Sequence, residues 1–195
     1  MAVKSNIKPD IRFLNDMKKM LYDKKWAEKS PNYELYYMYR GIKKKPGLRY
    51  DITVIPPRML GKEFVKTKGH EHLKKYGEVY IVLSGQALYL MQKQQKNKIE
   101  DVYAVKAKKG EVVVVPPYYG HITINPSKTK TLKEANWVSE KCRNIYDLFV
   151  KKDGACYYYT KNGWLKNKKY AKTPKLRFQK SLKEIPENLD FLYGN

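Results

Sequence analysis

Between residues 61 and 125 the chain is cut into short runs rich in Val, Ile and Tyr: EFVKT, EVYIVLS, ALYLMQ, DVYAVKA, EVVVVP and HITIN. Gly, Pro, Asn and Lys separate them. None is long enough for a globular helix. Runs of this length and composition read as strands, and so many of them with turn signals between indicate a β-sandwich or barrel. The polar tip KQQKNK (93–98) reads as a hairpin loop. Upstream, YELYYMYR (33–40) and RYDITVI (49–55) read as two more strands, with a turn at GIKKKPG (41–47). The flanks differ. Ile11, Leu14, Met17 and Leu21 recur at helical spacing after Pro9-Asp10, which predicts a helix within residues 1–30. Downstream, LFVKKDG and YYYTKNGWL suggest a further hairpin turning at Asn162-Gly163, and SLKE (181–184) offers a capping box for a short final helix. The expectation is one all-β domain over 1–195. Its core spans about 33–150, with an N-terminal helical extension (1–30) and a C-terminal hairpin and tail (151–195).

Charge bears on what this barrel binds. There are 41 Lys and Arg against 19 Asp and Glu, a formal charge of +22. Clustered basic residues would suggest a nucleic-acid partner. Only six of the 41 are arginine, the residue that forks onto phosphates and bases, and the lysines are spread from Lys4 to Lys183. A solvated lysine-rich surface is the better reading, with no nucleic-acid partner. No apolar run approaches the roughly 18 residues of a membrane span, and MAVKSNIKPD has no signal-peptide core. No membrane partner and a cytoplasmic location are therefore expected. Two cysteines, Cys142 and Cys156, make no disulfide framework and read as buried free thiols.

The rarest chemistry is concentrated. All three histidines fall within the β region. His70 and His72 are two residues apart, so a strand puts both rings on one face and turns Glu71 away. Glu78 opens the next strand, and His121 opens a later one. Three neutral imidazoles and a carboxylate suit one divalent transition metal, with coordination positions left for water or substrate.

Gly61, His70, His72, Glu78 and Gly85, followed by Gly110, Pro116, His121 and Asn125, resemble the two motifs of the cupin superfamily. Five residues lie between His72 and Glu78, a longer gap than the general pattern has, and Gly120 adjoins His121. With Thr67-Lys68-Gly69-His70-Glu71-His72, Glu78-Val79-Tyr80 and Val115-Pro116-Pro117-Tyr118-Tyr119-Gly120-His121, these departures closely resemble the cupin-type phosphoglucose isomerases. Tyr33-Glu34-Leu35-Tyr36, Thr53-Val54 and, more weakly, Asn144-Ile145-Tyr146 extend the resemblance over about 33–150.

The resemblance implies a small antiparallel barrel whose metal, held by His70, His72, Glu78 and His121, supports interconversion of glucose 6-phosphate and fructose 6-phosphate. It implies iron(II) first, with manganese, nickel or zinc as alternatives, and a homodimer. It implies Glu78 as both ligand and base. Tyr80, two residues along the same strand face, could relay a proton or orient the sugar. Thr67 and the Gly69 N–H, with Tyr33, Thr53 and Tyr146, fall at phosphate-contacting positions. Proton transfer through a cis-enediol and a hydride shift both remain open. So do a mannose-6-phosphate isomerase, another metal cupin enzyme such as a dioxygenase, and a non-catalytic sugar-phosphate-binding cupin. The positive field would raise the local concentration of a dianionic sugar phosphate.

Overall fold

The computed structural model describes residues 7–73, 75–96 and 98–194. Two sheets carry the architecture. The first has six strands in the order Asp10–Phe13, Glu34–Lys45, Leu48–Ile55, Leu132–Ser139, Glu78–Ser84 and Val112–Val115. The second has four, ordered Gly120–Ile124, Gln86–Gln95, Lys98–Lys108 and Arg177–Lys180. Pairing is antiparallel throughout, except that Arg177–Lys180 runs parallel to Lys98–Lys108. From Glu78 onward the chain crosses repeatedly between the sheets, so one core forms between them. Tyr36, Tyr80, Val82 and Val115 enter it from the first sheet, and Leu88, Leu90, Ile122 and Ile124 from the second. Removing each such side chain from water is worth about 1.5–3 kcal/mol. The strand runs read from sequence sit where expected, and the fold is of the all-β class.

The flanks depart from the sequence reading. Leu14, Met17 and Leu21 are buried, as an apolar stripe should be. They are not on one helix, however. Asp10–Phe13 is a strand paired with Glu34–Lys45, and two 3-10 turns follow (Leu14–Asp16 and Lys18–Met20). A short isolated helix is marginal in water, whereas the open edge of a sheet offers ready backbone partners. Among residues 7–30 only Lys24–Lys29 is α-helical, started by Asp23, whose carboxylate accepts from the Trp26 N–H at 3.2 Å. Residues 1–6 of the expected helix, and Asn97 of the expected loop, lie outside the described residues.

At GIKKKPG the strand continues to Lys45 through a register shift, and the turn is confined to Pro46-Gly47. Most of LFVKKDG is a short helix, Asp147–Lys151. The hairpin expected beyond it forms between Tyr157–Thr160 and Gly163–Lys166, with Lys161-Asn162 at the turn. SLKE makes no helix. Leu182 exchanges both backbone hydrogen bonds with Val112, and Ser181 and Lys183 donate to the Glu111 carboxylate. The described residues beyond 180 contain one helical turn, the 3-10 segment Asp190–Leu192. None of the described helices is long and apolar enough to cross a membrane.

Candidate metal centre and its cavity

A glycine sets up the centre. Gly69 has φ +76, and a Cβ there would collide with Ile122 and with the buried ring of Phe149. The chain can therefore turn tightly against the strand Gly120–Ile124. Just past the turn, His70 and His121 exchange backbone hydrogen bonds at 3.2 and 2.9 Å, which places them directly opposite each other. His72 follows two residues on. Glu78 comes from the first sheet, paired with Val115.

The four side chains converge. His70 Nε2 and His72 Nε2 are 3.2 Å apart. Glu78 Oε2 lies 3.3 Å from His72 Nε2 and 3.2 Å from His121 Nε2. One ligand atom from each residue falls within 4.8 Å of all the others. Metal–ligand bonds of about 2.0–2.2 Å put neighbouring donors about 3–3.5 Å apart, so the spacing fits a metal ion. Two further observations support the fit. His72 Nδ1 donates to the Tyr76 carbonyl at 2.9 Å, so the neutral ring presents the Nε2 lone pair to the cluster. Glu78 accepts from Asn136 on Oε1, while its Oε2 is buried without a hydrogen-bond donor.

The electrostatics agree. Burial, then neighbouring imidazoles, hold His70 well below its usual pKa, and burial lowers His121. Burial opposes ionisation of Glu78, yet the contacts with His121 and His72 hold it well below the carboxylate range. Burial also works against a charged His72, but Cys142 and Glu78 overcome it and push it up to about 10. The cluster so holds a buried anion that demands positive charge, which a proton on His72 or a metal ion can supply.

His70 and Glu78 face a cavity, and so do Thr53, Thr67, Gly69, Tyr80 and Tyr146. The Thr67 hydroxyl accepts from the Thr123 N–H at 3.0 Å and keeps its own proton to donate. The Tyr80 hydroxyl lies 3.2 Å from His121 Nε2, and burial, then the Glu78 charge, raise its pKa well above normal. The Tyr146 ring is 5.9 Å from that of His70. Asn125 ties a loop to the barrel by donating to the Ile55 and Lys130 carbonyls. Cys142 and Cys156 are buried and free.

Tyr33 is placed differently. It precedes its strand, lies outside the cavity and stacks under the Arg58 guanidinium at 4.4 Å. Tyr36 takes the inward place, with its hydroxyl accepting from the Lys68 N–H at 3.0 Å. Several cavity residues escaped the sequence reading: Arg12, Arg40, Arg49, Glu134 and Asn136. Glu134 and Asn136 had a signal, since polar residues two apart on a strand share a face. Glu134 is 1% exposed; its Oε2 accepts from the Tyr89 hydroxyl at 2.6 Å, and burial pushes its pKa up to about 8. Arg12 had none, because it reaches the cavity only through the unforeseen N-terminal strand.

A family model described as glucose-6-phosphate isomerase (GPI) matches residues 16–175. The glucose-6-phosphate isomerase of Pyrococcus abyssi is 36% identical over 121 residues, covering 59% of this chain and 62% of that protein. That of Thermococcus litoralis is 35% identical over 127 residues, covering 62% and 64%. The chain thus spans a little under two thirds of the length of these relatives. The family match covers most of the chain and includes all four clustered residues, so the chain belongs to the glucose-6-phosphate isomerase family.

Proposed function

We propose that this chain interconverts glucose 6-phosphate and fructose 6-phosphate with one divalent transition metal, iron(II) first, held by His70, His72, Glu78 and His121. The observation that carries the reading is the meeting of this cluster with a cavity lined by hydroxyls and cations. One end suits the reacting carbonyl and hydroxyl pair, the other a phosphate.

A metal bound there would polarise the carbonyl and offset charge developing on oxygen. The rest falls to the protein. The reaction moves a hydrogen between C2 and C1. Glu78 faces the cavity and is ionised, so it is the residue placed to take a proton from one carbon and return it to the other. Tyr80 keeps its proton and can donate a hydrogen bond to a sugar oxygen. Thr53, Thr67, Tyr146 and the Gly69 N–H line the remaining wall and suit the phosphate oxygens. A direct hydride shift between the carbons would need no base, and retention of a C2 deuterium label in water separates the two routes.

The homodimer belongs to the same reading. The outer strand Arg177–Lys180 leaves one edge of its sheet open and Phe178 71% exposed, which supports association. A cytoplasmic location is carried with it.

The test is a coupled assay of fructose 6-phosphate turnover with and without chelator, with mannose 6-phosphate as competing substrate. Turnover that chelation abolishes and added metal restores is the expected result. No turnover in metal-loaded protein overturns the isomerase reading, and faster turnover of mannose 6-phosphate reassigns the sugar.

A further inference from the structure

Between Tyr39 and Lys43 the strand Glu34–Lys45 slips register against Leu48–Ile55. A bulge of this kind re-aims the side chains beside it. Gly41, at φ +66, turns its N–H onto Oδ1 of Asp51 at 2.8 Å. Asp51 is buried, and its Oδ2 accepts from Arg40 at 3.1 Å and from Arg49 at 2.9 Å. One carboxylate thus holds two guanidinium groups against the cavity. The two are not equivalent. Arg40 commits all three nitrogens within the fold: Nε to Asp10, Nη1 to Asp51, and Nη2 to Met38 Sδ at 3.3 Å. Arg49 commits only Nε, and its terminal nitrogens have no hydrogen-bond partner among the described residues. A guanidinium anchored through Nε keeps its outer fork for a ligand. The fork belongs to the metal end of the cavity. Arg49 pairs with Val138, and the strand of Glu78 adjoins on the far side. Arg49, Val138 and Glu78 all line the cavity. Arg40, on the same Asp51 oxygen, is near enough for its charge to oppose a proton on His70. Thr53, which suits the phosphate, is four residues farther along the strand, about 13 Å at a rise of about 3.3 Å per residue.

We infer that Arg49 is a further catalytic residue, whose outer fork receives the negative charge that develops on the reacting oxygens of the sugar. This rests on the isomerase reading for the reaction, but the seat itself is defined by its charge and direction. Both routes put charge there. In the enediol route Glu78 takes the carbon-bound proton, the bonding pair becomes the C1–C2 double bond, and the carbonyl pair moves onto its oxygen. In the hydride route the hydrogen crosses with its pair, and the carbonyl pair again moves onto its oxygen, which then takes the hydroxyl proton. A guanidinium stays charged throughout and donates to that oxygen without giving up a proton. Donors fixed in advance toward developing charge are the strongest kind of catalytic contact, and Asp51 with its bulge supplies the fixing.

The experiment uses the full metal-loaded chain and two probes measured by calorimetry. Arabinonate 5-phosphate ends in a carboxylate, which sets two charged oxygens where the reacting pair would lie. Arabinitol 5-phosphate is the same chain with a neutral hydroxymethyl end. Wild type should bind the aldonate more tightly than the alditol. Arg49→Gln should weaken aldonate binding about 10- to 100-fold while changing alditol binding less than about threefold, and Arg49→Lys should recover part of the loss. In Arg49→Gln kcat for fructose 6-phosphate should fall about 10²-fold, with KM changed less. Metal content should stay at the wild-type level in both variants. If Arg49→Gln fails to fold, Arg49→Lys carries the test, with the same preference for the aldonate reduced in part. Wild type that binds the two probes equally, or variants that weaken both equally or neither, overturns the seat. Aldonate binding that depends on Arg49 in a protein with no turnover leaves the seat standing and removes the isomerase reading. Turnover that Arg49→Gln leaves at the wild-type rate does the reverse.

Discussion

Asn136 donates its side-chain amide to Oε1 of Glu78 at 2.5 Å, from the strand paired alongside. The bond commits one carboxylate oxygen to the protein and turns the other toward the three imidazoles. Asn136→Ala frees the carboxylate to rotate and leaves a buried oxygen unmet. Partners of this kind typically contribute 10- to 100-fold in metal affinity or activity. Competition titration against a chromogenic chelator should show metal affinity falling within that range. An unchanged affinity would mean that backbone packing alone orients Glu78.

The ligand set makes a joint prediction about metal and activity. His70→Ala or His121→Ala removes a donor that nothing nearby replaces, so metal content and turnover should be lost together. Glu78→Gln should lower kcat by about 10² or more, since it removes the proposed base, while altering KM less. Elemental analysis beside steady-state kinetics checks both. Full activity in metal-free protein would remove the metal from the reaction, and surviving turnover in Glu78→Gln would place the base elsewhere.

The barrel strands and the grouping of His70, His72, Glu78 and His121 were legible because each rests on a local rule. His70 and His72 share a face by the two-residue repeat of a strand, and Gly85 and Gly110 mark turns at strand ends. What stayed hidden depended on long-range pairing. The stripe Ile11, Leu14, Met17, Leu21 reads as one helix face, and only the sheet edge at Tyr36 and Met38 turns its start, around Ile11, into a strand. Arg12 is carried to the cavity by that pairing, so it could not be read before the strand was known. SLKE has the residues of a cap, but Glu111, 70 residues from Ser181, engages its hydroxyl. Glu134 was readable in principle, as a lone carboxylate on an otherwise buried run.

Gly69 should tolerate no side chain. Its φ of +76 strains any L-residue, and the added Cβ would meet the Phe149 ring at 2.7 Å as well as Ile122. Both neighbours are in the core, so neither can yield cheaply. Gly69→Ala should lose about 1–3 kcal/mol of stability and displace His70, the next residue. Thermal denaturation of metal-free protein measures the first effect and metal titration the second. A variant with wild-type values in both would show that the turn relaxes without moving its ligand.

The pH dependence of stability should carry the mark of Glu134. Burial raises its pKa to about 8, against which the Tyr89 hydroxyl bond works in the other direction. The folded protein therefore keeps a proton that the unfolded chain releases near the ordinary carboxylate pKa of about 4.3. Below that value both states are protonated and the full contribution is present. Between there and about pH 8 the unfolded state binds fewer protons, so this group lowers the unfolding free energy by about 1.4 kcal/mol per pH unit at most. Glu134→Gln keeps the acceptor for Tyr89 and has no proton to lose. Urea denaturation of metal-free protein from pH 5 to pH 8 should show wild type losing stability relative to the variant as pH rises. Parallel curves would mean that Glu134 is ionised in the folded protein as it is in the unfolded chain.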